Sequence, residues 1–455
     1  MTAAGASIAP HILAAADLPG IITSAKDDGY RGIWFTLGQK SEYGDKYSGG
    51  LATYTANHVP IAIYAPAVDK TFFVYGGAKE GKRHLLAMAS YYDHRRHVFP
   101  RPTIVHDKQG VNDPHDNPSL GIDGDGYLWI FVSGRAKVRP GFIYRSAKPY
   151  STEQFERVNQ SEFTYPQPRW IKGHGWFLLF TKYTNGRELY FRTSLDGRQW
   201  SDDQKLAGIG GHYQTSHQIG NSIITAFNMH PGGNVDKRTN LYYLRTDDAG
   251  ATWRNVRGEL VTIPLTRPDN SALVHNYQAE GKLVYIHDLD LDEKGNPVIL
   301  YITSDDFRPG PKAERWWTVA HWLGDTWQTT PFTPANHNYS TGSLYLEKRE
   351  RWRVLGPTEK GPQPLGAGGE LAVWISRDRG KNWNKEHHLT HGSELNHNYT
   401  RRPFHAHPDF YALWSDGNPD AVSRCNLYFT NQAARKVWKL PYDMARDFAE
   451  PELVG

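Results

Sequence analysis

Residues 213–253 read YQTSHQIGNSIITAFNMHPGGNVDKRTNLYYLRTDDAGATW. The segment opens on Tyr213 and small polar residues and runs into the apolar stretch SIITAFNMH. It turns through PGGN, then returns as LYYLRT before the tight turn DDAGATW. Short runs of apolar, β-branched and aromatic residues bounded by Gly, Pro, Asn and Asp are the pattern of antiparallel strands. The same layout recurs along the chain. Its opening positions are His58 (HVPIAIY), His115 (HDNPSL), Tyr165 (YPQPRW), Tyr213, His275 (HNYQ), His337 (HNYSTGSLYL) and His397 (HNYTRRPF), at intervals of 48 to 62 residues. Self-similarity at such a period marks a propeller or a solenoid. Four strands in each of seven units predict an all-β chain, a seven-bladed β-propeller with four-stranded antiparallel blades. That domain is expected over residues 25–455, with residues 1–24 as a separate N-terminal segment, disordered or the remnant of a leader.

A second signature repeats. Thr246 to Trp253 (TDDAGATW) and Ser376 to Trp383 (SRDRGKNW) fit S/T-x-D-x-G-x-x-W, and Ser194 to Trp200 (SLDGRQW) is one residue shorter. This resembles the Asp-box of sialidase-like propellers. The resemblance implies a turn between outer strands whose Asp caps backbone amides and whose Trp packs between blades. Its role is structural.

The bulk composition agrees with a large β domain. The 455 residues include 15 Trp and 26 Tyr against 4 Met, with 43 Gly and 28 Pro. The best helical candidates are short, Ser151–Arg157 and Tyr442–Glu450, each just after a Pro. A single cysteine, Cys425, excludes an intramolecular disulfide framework. The net charge of +4 is spread along the chain, which suits an anionic ligand and argues against nucleic acid. No apolar run reaches the ~18 residues of a membrane span. The opening MTAAGASIAPHILAAADLPG has no basic residue before its apolar stretch and reads as a poor signal peptide. The compartment stays open, and a monomer is expected.

In a propeller the innermost strand of each blade lines the central channel, so the seven opening residues should form a ring on one face. The plain reading is that they satisfy polar groups around a wet channel. His275, His337 and His397, each followed by Asn-Tyr, suit such a shared role, whereas the openings of blades two to four differ among themselves. Near them stand His94, Lys182, Arg187, His230 and Arg238, each of which alone reads as a solvated hairpin residue. Together they form a His/Tyr/Arg/Lys set with few carboxylates. An ordinary glycosidase needs two carboxylates flanking the bond. Asp116 is the nearest to an opening residue, and an Asp beside a His commonly orients it. The chemistry that this set suits is β-elimination on a uronic acid. Arg or Lys neutralises the carboxylate beside C5, His or Tyr removes the C5 proton, and Tyr or His protonates the departing oxygen. No cofactor and no metal is required. Backbone carbonyls around the channel could still hold a structural Ca²⁺, although no Asp-rich loop of EF-hand type is present.

The run RGIWFTLGQKSEYGDKYSGGLATYTANHVPIAIYAPAVDKTFFVYGG, with HDNPSLGIDGDGYLWIF and LVYIHDLDLDEKGNPVILYITS, resembles the BNR-repeat propellers that act on rhamnose–glucuronate linkages. These are the L-rhamnose-α-1,4-D-glucuronate lyases of polysaccharide lyase family 42 and the α-L-rhamnosidases of glycoside hydrolase family 145, with ulvan lyases as more distant kin. The resemblance covers about residues 25–445. It implies a rhamnose- and uronate-containing anionic glycan as substrate and a periplasmic or secreted setting. Carried over from the lyases, the catalytic pair is His94 and His115, with His97 as the alternative to His94, and the catalytic Tyr is Tyr165. Lys182 stands where the ulvan lyase pattern has Arg, and Tyr213 and Arg238 match its later Tyr and Arg. With Arg187, His230 and Tyr277 from this chain's own aromatic and basic set, they make up the expected substrate-binding residues. The rhamnosidase reading rests instead on His58. Lyase, α-L-rhamnosidase and non-catalytic glycan-binding propeller are therefore the three readings. A sialidase is disfavoured, since Arg31-Gly-Ile-Trp departs from the early Arg-Ile-Pro strand of those enzymes.

Overall fold

Each repeat folds into one antiparallel sheet, and seven such sheets form the propeller. The computed structural model describes residues 20–36, 38–46, 48–50, 56–79, 84–111, 113–348 and 350–455. The innermost strands of blades one to seven are Ala62–Ala65, Pro118–Ile122, Thr164–Ile171, Gln214–Ile219, Leu283–Leu291, Ser343–Glu347 and Asn396–Arg401. Blades two and seven each gain a fifth strand at the edge, Ile22–Thr23 and Glu452–Leu453 respectively. Ile22 and Thr23, expected outside the propeller, thus pair with Glu156 and Phe155. Most of the rest of the N-terminal segment, residues 1–19, lies outside the described residues.

The described residues contain three 3₁₀ turns and no α-helix. The helices expected at Ser151–Arg157 and Tyr442–Glu450 do not form. Phe155–Ser161 is the fourth strand of blade two, and Phe448–Ala449 pairs with Phe99–Pro100 of blade one. Sheet pairing overrode local propensity because the strand edges there were open to receive them.

The apolar cores lie between blades. Phe177, Phe191 and Trp253 join blades three and four, and Trp317 and Trp352 join blades five and six. The Asp-boxes build these junctions. Asp248 accepts from the Thr252 amide at 2.8 Å, the Thr246 hydroxyl receives the Gly250 amide at 2.8 Å, and the Trp253 ring lies 5.4 Å from Phe191 of the preceding blade. The channel is polar as expected. Arg402 of blade seven reaches Asp288 and Asp290 of blade five across it.

Two faces follow from this topology. Inner strands start on the front face, so the loops between blades and the connections from second to third strands gather there. The connections from first to second strands emerge at the back.

Candidate active site

The front face collects a chain of aromatic and basic side chains. His115 stands in the loop before the inner strand of blade two, and its ring centroid is 5.4 Å from that of Tyr165 at the start of blade three. His58 lies 5.2 Å from the same Tyr165 ring. Tyr165 is 5.6 Å from Tyr213 of blade four, and Tyr213 is 4.8 Å from His230 behind it. The Arg238 guanidinium lies 4.8 Å from the Tyr213 ring and 4.5 Å from Tyr285, and donates to the Tyr339 hydroxyl at 2.8 Å. Tyr165, Tyr213, Arg238, Tyr285, Tyr339 and Tyr399 line one open cleft of about 480 Å³ at the mouth of the channel.

Local backbone geometry aims these tyrosines. Tyr165 has φ of 55°, in the left-handed region, where the register of its strand slips between Thr164 and Gln167. Tyr399 of blade seven has the same φ, beside a register shift between Asn398 and Arg401. A bulge of this kind re-aims one side chain of an otherwise regular strand, and strained positions of this sort cluster at functional sites.

The electrostatics single out His115. Its Nδ1 is bonded to the Asp113 carboxylate, whose other oxygen receives Arg135 and Arg139. Against the raising effect of burial, the bond from His115 and the charges around it hold Asp113 far below the usual carboxylate range. Burial is the largest influence on His115 and outweighs Asp113, so the ring titrates below the ordinary histidine value. A neutral imidazole whose Nδ1–H points at a carboxylate keeps its lone pair on Nε2, the atom a general base needs. The orienting carboxylate is Asp113 and not the adjacent Asp116. Asp116 is fully buried and pairs with Lys108 at 2.9 Å and Arg139 at 2.9 Å.

Arg187, on the tip of the blade-three hairpin, interacts electrostatically with Tyr165, Tyr183 and Tyr213. Its guanidinium is 5.5 Å from the Tyr183 ring. His230 is buried with no hydrogen-bond partner on either ring nitrogen, and burial followed by Arg238 and its neighbours keeps it neutral. It backs Tyr213 rather than facing the cleft.

Five sequence-predicted residues stand elsewhere. His94 follows the third strand of blade one, which ends on the back face, so it is not paired with His115. It packs instead against Tyr64, Tyr92 and His407, and His97 leaves the same strand on the same face. Lys182 points to the outer part of blade three, where it pairs with Asp203 at 2.8 Å; Arg187 takes the place expected for it. Tyr277 is buried between blades four and five with its hydroxyl 2.5 Å from that of Tyr301. His275 ends the outermost strand of blade four (Leu273–His275) and opens no inner strand. The motif misled there because HNYQ copies HNYS and HNYT in letters but lies eight residues ahead of the true inner strand.

Asp113, Arg135, Tyr285, Tyr339 and Tyr399 are front-face residues that sequence reasoning passed over. Asp113 carried a legible signal, two residues before His115. Tyr339 and Tyr399 are the tyrosines of the HNY motifs, while the paired histidines turn inward. His397 accepts from the Trp414 indole at 3.0 Å, and His337 accepts from the Tyr339 amide at 3.1 Å.

Known proteins of similar sequence and shape bear on this arrangement. An ulvan lyase of Nonlabens ulvanivorans is 25% identical over 319 residues, covering 60% of this chain and 64% of the relative. One from Pseudoalteromonas sp. (strain PLSV) is 22% identical over 312 residues, covering 60% of this chain and 62% of the relative. The chain thus spans somewhat under two thirds of the length of the curated relatives it matches. Among solved structures, a family-25 ulvan lyase bound to -[GlcA(1-4)Rha3S]- superposes with a TM-score of 0.73 at 18% identity, covering 90% of this chain and 96% of that one. The polysaccharide lyase Uly1 gives 0.60 at 14% identity, covering 90% and 99%. A profile described as "BNR repeat-containing family member" matches residues 83–335, more than half of the sequence. The chain therefore belongs to the BNR repeat-containing family.

Proposed function

We propose that the protein is a polysaccharide lyase that cleaves a rhamnose-α-1,4-glucuronate linkage by β-elimination. The observation that carries this reading is the neutral His115, oriented by Asp113, in ring contact with Tyr165, which lines a cleft flanked by Arg187 and Arg238. His115 Nε2 takes the C5 proton of the uronate. The electron pair forms the C4–C5 double bond, the C4–O4 bond breaks, and Tyr165 gives its phenolic proton to the departing rhamnosyl oxygen. Arg187 and Arg238 neutralise the carboxylate that stabilises charge at C5. The ulvan lyase relatives, and the glucuronate–rhamnose oligosaccharide bound to a neighbour of the same fold, support a substrate of this class.

Hydrolysis has less support. No carboxylate is among the described residues lining the cleft, and Asp113 and Asp116 beside His115 are committed to Arg135, Arg139 and Lys108. A hydrolase would need a pair of carboxyls free to face the bond. His58, the alternative catalyst, is fully buried beneath Tyr165.

The test is to incubate the protein separately with ulvan and with a glycan capped by rhamnose-α-1,4-glucuronate, following ultraviolet absorbance and released sugar together. Elimination gives an absorbance rise in step with new chain ends or rhamnose. Rhamnose without absorbance would overturn the lyase in favour of hydrolysis. Binding without turnover of either substrate would overturn an enzyme of this specificity.

A further inference from the structure

His94, having left the catalytic face, does not stand alone at the back. It follows the third strand of blade one, and its ring lies 3.8 Å, centroid to centroid, from His407 in the first loop of blade seven. Asp409 is two residues further along that loop. One ligand atom from each of His94, His407 and Asp409 lies within 4.8 Å of the other two. Blades one and seven are the first and last of the ring, so these residues meet across the seam where the propeller closes.

The protonation pattern is that of a prepared site. His94 Nε2 is 2.8 Å from the Thr71 hydroxyl, while its Nδ1 is buried with no partner, in a side chain that is itself only 6% exposed. An orphaned polar nitrogen in such a place is costly unless something occupies it. If Nε2 donates to Thr71, the unpartnered Nδ1 holds a lone pair. His407 Nδ1 accepts the Asp409 amide at 3.1 Å, so it carries the lone pair of its ring, which a metal would take over from that amide, and the Asp409 carboxylate is 3.9 Å away. Its Nε2–H faces the Asp69 carboxylate at 4.0 Å, and Asp69 is in turn held by the Tyr64 hydroxyl at 3.1 Å. Two imidazoles offering Nδ1, each with its other nitrogen directed at an oxygen, is the arrangement that metal-binding histidines use to fix tautomer and orientation.

We propose that His94 Nδ1, His407 Nδ1 and Asp409 form a zinc site that clips blade seven to blade one on the face opposite the cleft, with water as the fourth ligand. Two nitrogens and one carboxylate suit Zn²⁺ and disfavour Ca²⁺ and Mg²⁺, which take oxygen ligands. Zinc bonds of about 2.0–2.1 Å require the ligand atoms to close to roughly 3.3 Å of one another. Asp409 is exposed on a loop and can supply that movement.

The test is isothermal titration of the chelator-treated full-length protein with Zn²⁺, and separately with Ca²⁺, alongside thermal unfolding with and without the metal. One equivalent of Zn²⁺ binding, a higher melting temperature in its presence and no Ca²⁺ uptake are expected. Asp409→Asn and His407→Gln change accessible side chains and should each weaken Zn²⁺ at least tenfold, with front-face turnover unchanged. Thr71→Val, which removes the partner of His94 Nε2, should weaken it by about 10–100-fold. Absence of Zn²⁺ binding to the wild-type protein would overturn the proposal. So would binding that Asp409→Asn and His407→Gln both leave intact.

Discussion

His58 Nε2 donates to the main-chain carbonyl of His115 at 3.2 Å. One imidazole thereby holds the loop that carries the other, and both rings contact Tyr165. This divides the labour between two residues that in sequence are equivalent openings of successive blades. Under the proposed mechanism His58 positions and His115 faces the reaction.

The division has a kinetic consequence. His115→Ala should lower kcat for elimination by about 10²–10⁴-fold, the usual contribution of a general base. His58→Gln, which keeps a donor near the His115 carbonyl, should cost less than tenfold in kcat. Steady-state rates of unsaturated uronate formation decide this, and equal losses in the two variants would sink the assignment.

Burial sets the acidic limb of activity. Because the folded pKa of His115 is depressed below the ordinary value of about 6.5, the base form persists as pH falls and is lost only below that value. The acidic limb of kcat/KM should therefore lie under pH 6.5. Asp113 pulls the His115 pKa upward, so Asp113→Asn should move the limb to still lower pH while reducing the rate through loss of orientation. A limb at or above pH 7 in the wild type would contradict this.

The two basic residues of the blade-three hairpin should behave differently. Lys182 is engaged by Asp203, and Lys182→Ala should leave kcat/KM within about twofold. Arg187 sits among Tyr165, Tyr183 and Tyr213, and Arg187→Ala should reduce kcat/KM by roughly 100-fold, about 2.7 kcal/mol of transition-state stabilisation. The reverse order would return the carboxylate clamp to Lys182.

Buried histidines tie stability to pH. Burial lowers His212 to about 4, and His287 and His337 to about 3. The unfolded chain takes up protons near pH 6.5 that the folded rings refuse. The stability they support is fully present above that value and falls as pH drops toward 4. Each ring contributes up to about 1.4 kcal/mol per pH unit in that window. Denaturant unfolding should show a loss of roughly 2 kcal/mol or more between pH 7 and pH 5. Constant stability over that range would show that these rings are protonated in the folded state.

Much of the architecture was legible before any coordinates. Strand alternation, hairpin turns and the Asp-box spacing are local properties, because a period-two pattern or an Asp that caps its own turn depends on residues close in sequence. They sufficed for the seven blades, the polar channel and the interblade tryptophans. The propeller topology also implied that His115, Tyr165 and Tyr213 would converge, since consecutive inner strands start on one face.

Tertiary structure decided the rest. Which face a residue occupies depends on counting strands from the start of its blade, and that parity sends His94 to the back although it stands 21 residues before His115. Side-chain direction decided between Lys182 and Arg187, and between Asp113 and Asp116, because a neighbour in sequence need not point the same way. The seam that brings His94 to His407 joins positions 313 residues apart. Only closure of the ring makes them neighbours, and no local pattern in the chain records where its two ends meet.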